Sequence, residues 1–238
     1  MWWRAKWGTF SIAYGKKAQR LKLSDCVVFF DFDNTITRFD VICDVLERFS
    51  VDQKWVPLEN AWQAGRIGSK ECLKGQLRSV RLTKKEMRRY LSTVPIDPAF
   101  SPLVEWLKKN KIRPVILSDS FSFFIKEILK NHGIRGVKVY CNELRFSGNR
   151  LIPSFPYRSK ACPRCAHCKK QRLLDPQWRG KITVYIGDGL SDVCPARQAD
   201  LLFAKDHLLD YCRKNRVPCV AFKNLKDVQH SLRGRRFK

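Results

Sequence analysis

The stretch Cys26-Val-Val-Phe-Phe-Asp-Phe-Asp-Asn-Thr-Ile-Thr37 limits what this chain can fold into more than any other. Val27 to Phe30 is an apolar, β-prone run with no polar face, and Asp31 cuts it off. A run of that kind reads as a strand buried on both faces, as in a parallel sheet. Asp31, Asp33 and Thr35 then follow at two-residue spacing, at the carboxyl edge of the sheet, where open α/β folds bind ligands. Two carboxylates leaving a buried strand are costly unless a cation or a hydrogen-bond network meets them. A hard divalent cation such as Mg²⁺, with phosphate on its other side, satisfies both demands.

Beyond Thr37 the apolar period becomes helical. Val41, Val45, Leu46 and Phe49 recur at three- and four-residue spacing, followed by Trp55, Leu58 and Trp62, then Cys72, Leu73, Leu77 and Val80. Thr83 with Glu86 is a capping box for a further helix, and Val94-Pro-Ile-Asp-Pro98 closes the block. A helical unit over 38–98, inserted between two strands, is far longer than an ordinary loop and is expected to be a small domain of its own. Strand–helix alternation then resumes. Pro114 to Leu117 is a strand stopped by Ser118-Asp-Ser120, Val137 to Cys141 another, and Glu143 to Arg150 a hairpin or extended excursion. Ile182 to Ile186 runs into Gly187-Asp-Gly-Leu-Ser-Asp192, Leu201 to Phe203 follows, and Val217 to Ala221 is a last short strand. The fold class is α/β: a Rossmann-like parallel sheet with helices on both faces and a small helical cap. The catalytic core spans 24–37 and 99–225, with a cysteine-containing excursion at 141–168, between a basic aromatic arm at 1–23 and a basic tail at 226–238.

The 238 residues suffice for one core plus a smaller unit, and no run approaches the roughly 20 apolar residues that span a bilayer. The net charge of +25 suits capture of anionic substrates; it also raises the reading of a basic protein that binds nucleic acid or an anionic surface, although no zinc-finger or RNP-like pattern accompanies it. Most of the ten cysteines lie singly in apolar or helical stretches, as reduced thiols do in a cytoplasmic protein. Cys162, Cys165 and Cys168 cluster beside His167, a set of thiolates and imidazole that suits a structural Zn²⁺, although the paired-knuckle spacing of a zinc ribbon is missing. A disulfide or free packing thiols remain alternatives for this cluster.

Asp31/Asp33, Ser118 and Asp188/Asp192 each close a different strand, and parallel strands bring such ends to one rim. Asp31-Phe-Asp-Asn-Thr35, Ser118 after a strand, a lysine opening a later helix and Gly187-Asp-Gly-Leu-Ser-Asp192 resemble the four motifs of the haloacid dehalogenase (HAD) phosphatases. The helical insert resembles their C1 cap, as in phosphoserine phosphatase. Asp188-Gly-Leu-Ser-Asp-Val-Cys-Pro195, Phe203-Ala-Lys-Asp206 and Tyr140-Cys-Asn142 resemble more narrowly the MtnX-like branch, which contains the phosphatase acting on 2-hydroxy-3-keto-5-methylthiopentenyl-1-phosphate. The resemblance implies a phosphoric monoester hydrolase that acts on a small phosphorylated metabolite. Asp31 would be the nucleophile, forming an aspartyl-phosphate, and Asp33 the general acid and base. Mg²⁺ would be held by Asp31, the carbonyl of Asp33 and Asp188, with Asp192 in support. Ser118 and a lysine, Lys169 ahead of Lys170, would engage the phosphate; Phe32, Asn34, Thr35 and Asp119 would line its site. Phosphoserine, phosphoethanolamine and phosphocholine are alternative substrates. Against phosphoserine, Gln76 stands near the position where those enzymes carry a cap arginine. The intact set Asp31, Asp33, Asp188 and Asp192 argues against a pure nucleic-acid binder, which has no need of all four.

Overall fold

The computed structural model describes residues 25–159, 162 and 164–234. The arm expected at 1–23 and the last residues of the tail lie outside the described residues. β1 (Cys26–Phe30), every residue of it buried, is central, as its unbroken apolar run requires. β2 (Arg113–Phe121) and β5 (Ile182–Gly187) flank it in parallel, followed outward by β3 (Lys138–Ser147) on one side and β6 (Leu201–Ala204) and β7 (Val220–Ala221) on the other. β4 (Arg150–Ser154) pairs antiparallel with β3, closing the seven-stranded order β4-β3-β2-β1-β5-β6-β7. Gly148, at φ 58°, lies in the two-residue turn of this hairpin, where a left-handed residue matches the strand twist.

Between β1 and β2 the chain forms α1 (Val41–Phe49), α2 (Trp55–Gln63), α3 (Ser69–Gln76) and α4 (Lys84–Leu91), then α5 (Phe100–Lys109). The Thr83/Glu86 capping box starts α4. The segments entering and leaving the helical unit pair with each other at Thr37 and Ile96. Val41, Leu46, Leu77 and Met87 of this unit share one buried cluster with Phe30 of β1 and Ile116 of β2, so its packing is continuous with that of the sheet. α6 (Ser122–Asn131), α7 (Lys169–Leu173), α8 (Val193–Ala196) and α9 (Asp206–Lys214) complete the crossovers.

Two expectations need correction. The strand expected to stop at Leu117 continues to Phe121, with a shift of register against β3 between Leu117 and Phe121. Ser118, Asp119 and Ser120 therefore lie on an irregular part of the strand, and such irregularities re-aim side chains. The residues read as a basic tail begin as a helix, α10 (Leu225–Gly234). Leu225, Val228 and Leu232 form its buried stripe, and Asp97 receives the Leu225 N–H at 2.8 Å. Among the described residues no helix is long and apolar enough to cross a membrane.

Candidate active site

The carboxyl ends of β1 and β5 and the irregular part of β2 bring Asp31, Asp188 and Ser118 to one rim, and the start of α7 brings Lys169 to it. Asp31 continues β1, its N–H donating to the Ile186 carbonyl of β5 at 2.9 Å. The chain then turns back sharply. Asn34 takes the left-handed conformation at φ 55°, which asparagine tolerates better than most residues. Thr35 N–H donates to the Asp33 carbonyl at 2.7 Å and Ile36 N–H to that of Phe32 at 2.8 Å. The turn swings the Thr35 hydroxyl onto Asp188 Oδ1 at 2.7 Å, which ties the end of β1 to the end of β5. The half-buried Asp33 accepts the Val41 N–H at 3.0 Å and so faces the first turn of α1.

Lys169 is the cation of the site. It is 2 % exposed, and its Nζ lies 2.8 Å from Asp31 Oδ1, 2.7 Å from Asp192 Oδ1 and 2.9 Å from Ser191 Oγ. Lys170 is exposed, so of the two lysines it is Lys169 that the structure brings to Asp31 and Asp192. Burial alone would lower the Lys169 pKa, but Asp192 and Asp31 hold it above the ordinary lysine range. Asp192 is a hub with four donors: Lys169 and the Tyr185 hydroxyl (2.6 Å) on Oδ1, and the N–H groups of Asp188 (3.0 Å) and Gly189 (3.1 Å) on Oδ2. Against its burial, Lys169 and these hydrogen bonds keep it below the usual carboxylate range. Gly187 makes room for the hub, since a Cβ there would stand 2.5 Å from Asp192 Oδ2.

Asp31, Asp188 and Asp192 offer oxygens that all lie within 4.8 Å of one another. Burial, then repulsion from Asp192, raises Asp31 well above the carboxylate range and Asp188 to about 7. Burial and Asp40 raise Asp33 likewise. Lys169 therefore leaves negative charge uncompensated. The hydrogen bonds accepted by Asp31 and Asp188 fall on Oδ1 of each, whereas Asp192 already has both oxygens engaged. Such a set of hard oxygens fits a divalent cation held by Asp31 and Asp188, with Asp192 fixing the loop that carries Asp188.

The remaining expected residues fall around this cluster. Phe32 is buried, and its N–H donates to Asp31 Oδ1 at 2.7 Å. Ser118 is fully buried, its Oγ receiving the Ser120 N–H at 2.9 Å. Asp119 accepts the His167 N–H on its carboxylate (3.1 Å) and the Asn142 side chain on its carbonyl (2.7 Å), and burial lifts its pKa to about 6. Sequence reading missed Tyr185 and Ser191, which brace Asp192 and Lys169. Tyr185 sits inside an apolar strand, where nothing but its hydroxyl marks it.

The zinc expectation for Cys162, Cys165, Cys168 and His167 is not supported. Among the described residues these side chains form no metal-binding group. The His167 ring packs 5.3 Å from the Tyr157 ring, and burial with the nearby charges of Lys169 and Arg172 lowers its pKa to about 3. Two cations facing an imidazole oppose a dication beside it. The segment instead straps Asp119 through the His167 N–H and positions Lys169. All ten cysteines are free thiols.

The model of the family described as "Putative Phosphatase" matches residues 26–215. The chain belongs to this family of HAD phosphatases, which are phosphoric monoester hydrolases. A relative from Bacillus cereus (strain AH187), named 2-hydroxy-3-keto-5-methylthiopentenyl-1-phosphate phosphatase, is 27% identical over 210 residues, covering 87% of this chain and 95% of its own. A second, from Bacillus cereus (strain B4264), is 28% identical with the same coverage. Among solved structures, phosphoserine phosphatase as a phospho-aspartyl intermediate analogue superposes with a TM-score of 0.67 at 16% identity, over 87% of this chain and 98% of that one. The substrate-bound phosphoserine phosphatase gives 0.68, also at 16%, over 90% and 99%. These likenesses at low identity show the fold.

Proposed function

We propose that this chain is a Mg²⁺-dependent phosphatase that hydrolyses a small phosphorylated metabolite through an aspartyl-phosphate on Asp31. The observation that carries this reading is the buried Lys169 bridging Asp31 and Asp192 at 2.8 and 2.7 Å, with Asp188 alongside. In the first half-reaction an Asp31 oxygen attacks phosphorus in line, the ester P–O bond breaks, and Asp33 gives its proton to the departing alkoxide. In the second, water attacks the phosphorus, Asp33 takes its proton, and phosphate leaves while Asp31 is regenerated. The raised pKa of Asp33 suits a group that must hold a proton at the start. Lys169 and Ser118 would face the transferring oxygens; the backbone N–H groups of Phe32 and Asn34, which donate to Asp31 Oδ1 and the Phe39 carbonyl, would turn to the phosphate together with that of Asp119. Mg²⁺, held by Asp31, Asp188 and the Asp33 carbonyl, would neutralise phosphate charge and relieve the crowding of carboxylates.

The curated relatives direct the substrate reading to 2-hydroxy-3-keto-5-methylthiopentenyl-1-phosphate or an ester of similar size, and the free thiols fit a reducing, cytoplasmic setting. The test is hydrolysis of p-nitrophenyl phosphate with and without Mg²⁺. Turnover should need the metal and fall by about 1,000-fold or more in Asp31→Asn, as for loss of a covalent nucleophile. Activity that survives the substitution would overturn the reading. A panel of phosphorylated metabolites then ranks substrates.

A further inference from the structure

A cavity of about 110 Å³ lies between the helical unit and the sheet edge, bounded on the sheet side by Asp119, Ser120 and Ser191. Ser191 binds Lys169, so the cavity adjoins the catalytic cluster and is where the organic part of a phosphate ester would lie. Asp40, Glu59, Trp62 and Gln76 form much of its other wall. Three acidic residues therefore line it, Asp40, Glu59 and Asp119, and among the described residues no lysine, arginine or histidine does.

Glu59 is also held in place. Its Oε1 accepts from Gln63 Nε2 and its Oε2 from Gln76 Nε2, each at 2.9 Å. Gln76 is only 2 % exposed, so one of the two anchors is fixed from within the fold. Two neutral amides orient a carboxylate without cancelling its charge. Ser120, which also lines the cavity, is buried, and its Oγ has no hydrogen-bond partner among the described residues.

We propose that Glu59, set by Gln63 and Gln76, is the residue of the helical unit that sorts substrates. It takes a hydrogen-bond donor, hydroxyl or ammonium, on the organic part of the ester and rejects esters that carry a carboxylate there. This deepens the phosphatase reading and rests on it. A carboxylate in this cavity would meet acidic residues on both walls and, among the described lining residues, no cation, the nearby Lys169 being held by Asp31 and Asp192, whereas a donor finds fixed acceptors. The substrate in the relatives' name, with its hydroxyl and keto groups and no carboxylate, falls in the accepted class.

The experiment compares three esters of matched size: 2-aminoethyl phosphate, 2-hydroxyethyl phosphate and carboxymethyl phosphate. Binding is measured by calorimetry on the full chain carrying Asp31→Asn, with Mg²⁺, so the result does not depend on turnover. The better donor ester should bind about 100-fold more tightly than the carboxylate ester, the scale of a few like-charge contacts in a partly buried site. Adding Glu59→Gln should cut that ratio below about tenfold, and Glu59→Asp should restore most of it, which separates lost charge from lost fold. A larger loss for the aminoethyl ester than for the hydroxyethyl ester would identify the preferred donor as a cation, and the reverse as a hydroxyl. Equal affinity for all three esters, or a ratio that Glu59→Gln leaves unchanged, would overturn the proposal. The phosphatase reading is judged separately, by turnover of p-nitrophenyl phosphate in the unmodified chain.

Discussion

At the scale of single residues, Lys169 shows how the site depends on compensation. Two anions share one buried cation, and removing the cation costs more than the attraction it supplied, because both carboxylates stay behind. Lys169→Met should lower stability by about 3–5 kcal/mol and abolish turnover, and Asp192→Asn in the same chain should recover part of the stability but none of the activity. Urea unfolding of the two single variants and the double variant reads this; a neutral Lys169→Met would show that the bridge carries no stabilisation. His167 behaves differently, since the fold keeps it neutral. The unfolded chain takes up a proton below about pH 6.5 that the folded chain refuses until about 3. The stability His167 provides is thus complete above 6.5 and is lost as pH falls through that window, at up to about 1.4 kcal/mol per pH unit. Asp31 and Asp188, with raised pKa values, act in the opposite sense, so the measure is the difference between wild type and His167→Gln. The gap between their unfolding free energies should shift in favour of the variant as pH falls from 7 to 5; a gap that does not change with pH would contradict the shift.

At the scale of elements, the joint between the helical unit and the sheet is set by α1. Its first turn is held by Asp33 and Asp40, and its inner face buries Val41, Val45 and Leu46 in the cluster that also contains Phe30. Leu46→Ala should cost about 2–5 kcal/mol, as for a fully buried leucine. Because the cluster is continuous, both parts should still melt in one transition, read by calorimetry and by tryptophan fluorescence from Trp62 in the unit and Trp178 near the sheet. Two separated transitions would show that the unit folds on its own. What the sequence made legible at this scale was whatever one strand or one helix specifies locally. The apolar run of β1 fixed its burial, Asp31 after β1 and Asp188 after β5 marked the rim, and Thr83 with Glu86 marked a helix start. The continuation of β2 past Leu117 was not legible, because it depends on pairing with β3. Nor was the Glu59–Gln76 contact, which joins two helices whose relative placement no local pattern encodes. In α10 the spacing of Leu225, Val228 and Leu232 carried the signal, but the basic residues beyond it drew the reading towards a tail.

At the scale of the whole molecule, the charge of +25 and the acidic cavity pull in opposite directions, and distance separates them. On the proposed reading the excess of positive side chains would attract an approaching phosphate ester over several ångströms of solvent, whereas Asp40, Glu59 and Asp119 would act only once the ester is inside. Long-range attraction between solvent-exposed charges is screened within about 8 Å at physiological ionic strength, while partly buried groups are screened much less. Capture and selection should therefore separate on a salt titration. Raising NaCl from about 0.05 to 0.5 M should increase KM for an anionic ester several-fold and leave kcat within about twofold, because steering lies in the encounter and the chemistry lies beneath the helical unit. The ranking of esters should survive the same titration, since it is set at short range by partly buried groups. A fall in kcat that tracks KM would mean that salt reaches the Asp31–Lys169–Asp192 cluster. A ranking that levels out at high salt would place the selection on the surface, with the basic side chains.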